Sequence, residues 1–372
     1  MKRVAPRPSK EAALVAALEP YRVRSNREIE ALLDAYEMTR GNREHPSSQT
    51  LAASRPILTA GKRYRYAIAC LAYQGLTGWP DFEVPARPAA WLELYHLYTL
   101  FLDDIMDEDE RRRTLPSSWS SAAKAYRGKN GGGPARLFRS ARHRYGASMA
   151  ILDALRIRSL AERAIQTAKA DVALREQLLE ILAETDLKLS DGQGLDLDFE
   201  TEPSLSEAAY TRMSELKTGV LYVAAAKTGA ILGGAPEVRS RAIEEFARRF
   251  AWAFQDRDDL LGAGVVTSRI GGSPQGDIEK GKRTRLYAIA TARMPAAKRT
   301  AFLRAYGRGS KTTPADVRLV RSAFREYALE IGLGRIKENV ERAVDALRSA
   351  QLAESPRQIL ESLARGQLTR QT

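Results

Sequence analysis

The chain has 372 residues, 44% of them hydrophobic, and 59 lysines and arginines against 46 aspartates and glutamates give it a net charge of +13. A single cysteine, Cys70, excludes internal disulfides and cysteine metal clusters, and three histidines (His45, His96, His143) exclude a histidine-rich one; no apolar run would span a bilayer and the start lacks a secretory pattern, so a cytoplasmic enzyme is expected. The positive charge fits anionic substrates first and peripheral contact with an anionic membrane second, and with no zinc-finger spacing or aromatic RNA-binding motif no nucleic acid is expected as a partner.

Residues 1–24 read as a basic, poorly ordered segment with a short helix near 11–18, and residues 25–372 as a single all-α domain. Ser25 or Asn26 is placed to cap a helix with the stripe Ile29, Leu32, Leu33 and Tyr36. His45 to Ser48 read as a loop. The next helix is expected to start near Gly61, with Lys62, Arg63 and Arg65 crowding an end where the helix dipole disfavours cations. An anion bound among them would explain that placement, since free N–H groups are also there; ordinary surface cations explain it equally well.

Trp91 to Pro116 carries the strongest signal. Trp91, Leu94, Tyr95, Tyr98, Leu102 and Ile105 recur at helical spacing. His96, Thr99, Asp103 and Asp107 form a second, polar stripe on the same helix. Carboxylates one turn apart share hard cations such as Mg²⁺, and Arg111, Arg112 and Arg113 follow at once with the geometry to bind phosphate. Alone, such a stretch reads as readily as a solvated helix end.

A basic, glycine-rich insertion near 120–142 follows; it reads as a flap, a membrane-surface contact or a solvated loop. Residues 147–186 read as two long amphipathic helices, and Gln193, Asp196 and Asp198 cluster just beyond them. An apolar helix over 206–232 is interrupted at Lys217-Thr218-Gly219, and a lysine in such surroundings needs an anionic partner. Lys227-Thr228-Gly229 repeats the tripeptide. A helix over 237–261 sets Phe250, Phe254 and Asp258 on one face and Gln255 and Asp259 on another. A glycine-rich loop with Asp277, Lys280, Lys282 and Arg283 follows, then helices to about Ala364.

Six segments in this order resemble the trans-isoprenyl diphosphate synthases, the polyprenyl synthetase family. They are GKRYR at 61–65, the DDxxD segment with its arginines at 103–116, GQGLDL at 192–197, LKTG at 216–219, FQDRDDLLG at 254–262 and GDIEKGKRT at 276–284. The resemblance covers roughly residues 25–300. It implies an all-α bundle around a deep cavity, usually a homodimer, that joins an allylic diphosphate to isopentenyl diphosphate. Asp103, Asp107 and Asp258 would hold Mg²⁺, three ions per site. Arg112, Lys217 and Lys282 would bind the allylic diphosphate, and Lys62, Arg65, His96 and Arg113 the isopentenyl diphosphate. Thr218 and Gln255 would turn oxygen dipoles on the allylic cation. In such enzymes bulky residues one turn before the first aspartate block chain growth, so Tyr98 beside Thr99 implies a short product, C20 preferred and C15 next.

The chain departs from the pattern at Gly262, where the family often has a third aspartate, and at Asp256, where an apolar residue is common. Thr114-Leu115 replace the usual Gly-x, and GGSPQ at 271–275 lacks a frequent lysine. A class I terpene cyclase, an irregular prenyl coupling enzyme and a non-catalytic synthase subunit are the alternatives. The cyclase reading lacks an Asn–Ser–Glu second motif, and the subunit reading is disfavoured by Asp103, Arg113 and Lys217 all being present.

Overall fold

The computed structural model describes residues 10–40, 49–112, 115–124, 140–202, 204–267 and 276–371. The expectations for His45 to Ser48, for Arg113 and Thr114, for the centre of the basic insertion and for the GGSPQ segment lie outside these residues. Among them the fold is all-α, as expected. The one ladder pairs β1 (Arg111–Arg112) antiparallel with β2 (Leu115–Pro116), with Arg111 opposite Pro116 and Arg112 opposite Leu115. The chain divides into two compact units: Leu18–Cys70 with Pro80–Leu179, and Met1–Ala17 with Leu71–Trp79 and Glu180–Thr372.

The unit containing residues 80–179 is built on α5 (Ala86–Met106), which packs along α7 (Ala141–Gln166), with α6 (Ser118–Lys124) against α7 as well. Pro88 sits in the first turn of α5, where its missing N–H has no helical partner to lose. Trp91, Leu94, Tyr95, Leu97 and Phe101 are buried, while His96, Tyr98, Thr99, Asp103 and Asp107 are half-buried. The polar residues stay half-buried, as the sequence pattern implies, but the buried line continues through Leu97, Phe101 and Asp104 rather than through Tyr98, Leu102 and Ile105, which are half-buried.

The start of the chain differs from expectation. α1 (Lys10–Arg40) runs unbroken through the anticipated boundary at residue 24 and through Pro20. An interior proline costs about 3 kcal/mol in a helix, but its neighbours are tied down by packing. Leu18 and Tyr21 are buried, and Tyr21 meets Phe82 edge-on at 5.1 Å. Ser25 and Asn26 are therefore not caps. Ser25 is buried, and the Asn26 side chain donates to the Thr59 carbonyl at 3.0 Å and accepts from Arg63 Nε at 2.9 Å.

α4 (Tyr64–Thr77) begins three residues later than expected, after a turn in which Gly61 has φ 123° and Arg63 φ 56°. The anion at its start is internal. Glu93 of α5, 2% exposed, accepts from the backbone N–H groups of Arg65 and Tyr66 at 3.1 Å each. The buried Arg63 guanidinium pairs with the same carboxylate at 3.4 Å and donates to the Leu58 carbonyl. Lys62 is left exposed and Arg65 half-buried.

In the unit containing residues 180–372, α11 (Glu237–Gly262) packs along α16 (Leu329–Ser349) and against α10 (Val220–Leu232). α10 is alanine-rich and buried nearly all round, and Tyr222 packs on Phe250 and Phe254 of α11 at 5.1 and 5.7 Å. Between α9 (Glu207–Ser214) and α10 the chain takes one π-helical turn, Glu215–Gly219. This is the interruption expected at Lys217-Thr218-Gly219, resolved as an over-wide turn rather than a break. α8 (Val172–Thr201) approaches it backbone to backbone at Gly192, where an added Cβ would lie 2.4 Å from the Lys217 nitrogen and 2.7 Å from the Leu216 carbonyl carbon.

Two stability predictions follow from these contacts. Gly192→Ala must force α8 and the π turn apart and should cost about 1–3 kcal/mol, read as a lower denaturation midpoint with an unchanged m-value. Glu93→Ala strands the Arg63 charge in the interior and should cost about 3–5 kcal/mol by the same measurement.

Candidate active site

The two adjacent aspartates at the end of α5 point in different directions. Asp103 keeps 24% of its side chain exposed, whereas Asp104 keeps 1%. Asp104 continues the buried stripe of Leu97 and Phe101, and it receives the Arg112 guanidinium through Nε at 2.9 and 3.0 Å. Burial pushes the Asp104 carboxyl up from its ordinary range, and Arg112 pulls it back. Arg112 Nη2 also reaches Asp103 at 3.4 Å. Trp119 Nε1 donates to the carbonyls of Asp104 and Asp109 at 3.1 and 2.8 Å, which fastens α6 to the end of α5. Asp107 is the C-cap residue, its N–H still bonded to the Asp103 carbonyl at 2.8 Å. Asp103 and Asp107 therefore keep the one-turn spacing on the polar face.

Upstream on that face, the Thr99 hydroxyl donates to the His96 carbonyl at 2.8 Å, and the Tyr98 ring meets Tyr95 at 5.3 Å. Glu93 joins the basic start of α4 to α5 one turn before His96. The Lys62 ammonium lies 5.7 Å from the Tyr64 ring centre. Lys62, Arg65, His96, Tyr98, Thr99, Asp103, Asp107 and Arg112 all belong to this unit, while Arg113 lies outside the described residues.

The other unit carries Lys217, Thr218, Gln255, Asp258 and Lys282. The π turn presents Lys217 to Asp196 of α8 at 2.6 Å, which supplies the anionic partner its surroundings require. The Thr218 hydroxyl donates to Gln255 Oε1 at 2.9 Å, and Gln255 Nε2 donates to Asp259 Oδ1 at 3.0 Å. Asp259 is 4% exposed, and its second oxygen accepts from the Tyr210 hydroxyl at 2.6 Å and the Arg285 backbone N–H at 3.1 Å. Burial pushes its carboxyl up to about 7, against the pull of the Tyr210 hydroxyl.

Asp256, out of place in the motif by sequence, is buried and bonded to Arg285 Nε at 2.5 Å. Arg285 also donates to Thr211 Oγ1 at 2.9 Å and lies over the Tyr210 ring at 4.8 Å. Gly262 has an equally local reason. A Cβ there would fall 2.0 Å from Asp277 Oδ2, so the carboxylate of the following motif fills the space in which a third aspartate would stand. The Lys282 side chain is exposed, and its N–H bonds the Asp277 carbonyl at 3.0 Å.

Asp258 is the open member of the second pair, with 37% of its side chain exposed. It is ion-paired with Arg370, whose guanidinium lies 4.0 Å from the centre of the Phe254 ring and donates to the Phe254 carbonyl at 3.3 Å. Arg257 Nε holds the Arg370 carbonyl at 2.8 Å. Sequence reasoning missed Asp104, Asp259, Tyr210, Arg285 and Arg370. Only the odd aspartate at 256 and the shared face of Gln255 and Asp259 gave a signal for this group.

Among the described residues no three acidic, histidine or cysteine side chains converge to hold a metal ion by themselves. Asp103, Asp107 and Asp258 are nevertheless partly exposed hard-oxygen donors. Such groups suit Mg²⁺, which keeps waters and takes one or two carboxylates together with substrate phosphates. No described helix is long and apolar enough to cross a membrane.

Comparison with known proteins gives a consistent result. The polyprenyl synthetase family profile matches residues 48–324. A geranylgeranyl diphosphate synthase of Methanosarcina mazei is 31% identical over 301 residues, 80% of this chain and 83% of its own. A geranylfarnesyl diphosphate synthase of Aeropyrum pernix is 30% identical over 308 residues, 81% of this chain and 87% of its own. The crystal structure of geranylgeranyl pyrophosphate synthase from Corynebacterium glutamicum, complexed with isoprenyl diphosphate and magnesium, superposes with a TM-score of 0.85 at 25% identity, covering 95% of this chain and 99% of the other. With both aspartate pairs and the Lys217-Thr218 turn in place, this chain belongs to the polyprenyl synthetase family.

Proposed function

We propose that this protein condenses isopentenyl diphosphate head to tail with an allylic diphosphate, releasing pyrophosphate and an all-trans prenyl diphosphate of short chain, C20 first and C15 next. The observation that carries the reading is the π turn. It sets the Thr218 hydroxyl against the Gln255 amide one helical turn from Asp258, so oxygen dipoles stand beside an open carboxylate. Acidic and basic groups in such an arrangement serve a substrate that is both a polyanion and the precursor of a carbocation.

Asp103, Asp107 and Asp258 would hold three Mg²⁺ ions, which when bound neutralise the diphosphate and make it a better leaving group. Arg112, already oriented on one edge by Asp104, and Lys217 and Lys282 bind that diphosphate. Lys62, Arg65, His96 and Arg113 hold the diphosphate of the second substrate. The allylic C–O bond breaks with its electron pair going to the diphosphate. The double bond of isopentenyl diphosphate supplies the pair for the new C–C bond. Loss of a proton to the released pyrophosphate restores a double bond, so no protein nucleophile is required. Thr218 gives its hydroxyl hydrogen to Gln255, which leaves its lone pairs available to face the cation. The hydrocarbon tail grows along α5 from Asp103 toward Tyr98, whose ring is braced by Tyr95 and acts as the floor. The working form is a homodimer in the cytoplasm, with the basic segment near 120–142 available for an anionic membrane surface.

The deciding experiment incubates the purified protein with Mg²⁺, isopentenyl diphosphate and, in turn, dimethylallyl, geranyl or farnesyl diphosphate, with products identified by mass spectrometry. A linear C20 or C15 diphosphate is expected. Hydrocarbon or alcohol from an allylic diphosphate alone would make the protein a cyclase, and no product from any pair would make it a silent subunit. Asp103→Ala should lower turnover by at least the roughly 100-fold typical of losing one preorganised electrostatic contact, with helix content by circular dichroism unchanged. Tyr98→Ala should lengthen the product by one or more five-carbon units, and an unchanged product distribution would remove Tyr98 as the floor.

A further inference from the structure

We propose that Asp259 is a positioning residue that fixes which end of the Gln255 amide faces Thr218, and that of this adjacent pair only Asp258 serves the metal; the proposal rests on the condensation reading of the site. The two ends of a glutamine amide have nearly the same shape but opposite hydrogen-bonding sense, so packing cannot choose between them. Polar neighbours must choose, and here one does. Asp259 is buried, and three donors converge on its two oxygens: Gln255 Nε2 on one, the Tyr210 hydroxyl and the Arg285 N–H on the other.

Ionised, as it is when all three of these donors point at it, the Asp259 carboxylate offers only acceptors. The Gln255 NH₂ must therefore turn to Asp259, and its carbonyl oxygen must turn to Thr218. The Thr218 hydroxyl then donates to that oxygen, as observed at 2.9 Å. With its hydrogen committed, Thr218 can offer only lone pairs elsewhere. Reversing the amide would reverse the chain: the NH₂ would face Thr218, and the hydroxyl hydrogen would be free to point at a developing cation. The charge sense of the pair is thus set at Asp259, one residue behind the proposed metal ligand.

The surroundings keep Asp259 fixed. Arg285 supplies a backbone N–H that cannot rotate away, stacks on the Tyr210 ring at 4.8 Å, and is itself held by buried Asp256 and by Thr211. This gives Asp256, an acidic residue where an apolar one is common, a defined task. Both oxygens of Asp259 are occupied within the protein, whereas the Asp258 carboxylate is 37% exposed and ion-paired with Arg370.

The test exchanges the acid and the amide. In Asp259→Asn the fixed Arg285 N–H and the Tyr210 hydroxyl claim the oxygen of the new side chain, so its NH₂ faces Gln255 and flips that amide. Turnover should fall about 100-fold, with KM for both substrates within about threefold of wild type. Adding Gln255→Glu restores an acceptor toward both that NH₂ and Thr218, so the double variant Asp259→Asn/Gln255→Glu should recover at least tenfold in turnover over Asp259→Asn alone. Calorimetry with Mg²⁺ and inorganic pyrophosphate should give near wild-type affinity for Asp259→Asn and at least tenfold weaker binding for Asp258→Ala. Tyr210→Phe removes one hydrogen bond and should lower turnover threefold to tenfold without changing pyrophosphate affinity; it decides the question if Asp259→Asn does not fold. Pyrophosphate binding that weakens as much in Asp259→Asn as in Asp258→Ala would overturn the proposal, as would the absence of any recovery in the double variant. Should the wild type form no prenyl product, the condensation reading fails by itself. The positioning claim is then read from the Gln255 side-chain amide proton signals by NMR: in Asp259→Asn they shift and show contacts to Thr218 if the amide turns over, and they stay at their wild-type positions with no such contacts if the claim fails.

Discussion

Neighbouring residues on an α-helix point about 100° apart, so two consecutive aspartates cannot face the same ligand. That constraint divides both aspartate pairs of this protein. Asp103 and Asp258 keep part of their surface, while Asp104 and Asp259 turn into the protein and are almost wholly buried. A buried carboxylate is costly unless hydrogen-bonded, and each has a dedicated set of donors: Arg112 for Asp104, and Tyr210, Arg285 and Gln255 for Asp259. The doubled aspartate thus joins one outward carboxylate to one internal anchor. In both pairs the anchor holds a residue with a proposed task, Arg112 in the first and Gln255 in the second.

Among the described residues, several of the cations behind the strong positive charge are matched by carboxylates. Lys217 is matched by Asp196, Arg63 by Glu93, and Arg370 sits on Asp258. Such pairs hold the long basic side chains in place and offset their mutual repulsion. For the roles proposed above, Asp258 would have to leave Arg370 to hold metal, and Lys217 would have to leave Asp196 to hold phosphate.

Much of the fold and of the candidate site was legible in the sequence for a physical reason. α5 and α11 carry apolar residues at steps of three and four with polar residues on a separate stripe, and that period is independent of tertiary context. The interruption at Lys217 was visible as a lysine amid alanines, although only the structure shows it as an over-wide turn. What was hidden depended on distant partners. α1 passes through Pro20 because Leu18 and Tyr21 find burial, and Tyr21 does so against Phe82. The anion at the start of α4 is Glu93, a residue whose sequence neighbours are apolar. Asp256 stood out as an anomaly, but its partner Arg285 lies 29 residues away, and Arg370 lies 112 residues from Asp258. No local pattern relates positions so far apart.

The π turn at Glu215–Gly219 has a consequence for how the sequence can change. A π turn holds one residue more than the α turn it replaces, and that extra residue rotates α10 relative to α9 by about 100° from a continuous helix. α9 directs Tyr210 to Asp259 while α10 lays Tyr222 on Phe250, and both orientations depend on the offset. Deleting any single residue from this turn would leave composition, charge and helix content almost unchanged, yet only one of the two helices could keep its phase. A reading-frame-preserving loss of one codon here is therefore far more damaging than most substitutions, and homologous chains aligned with a one-residue gap at this place should be understood as having changed the geometry of the site rather than the length of a loop.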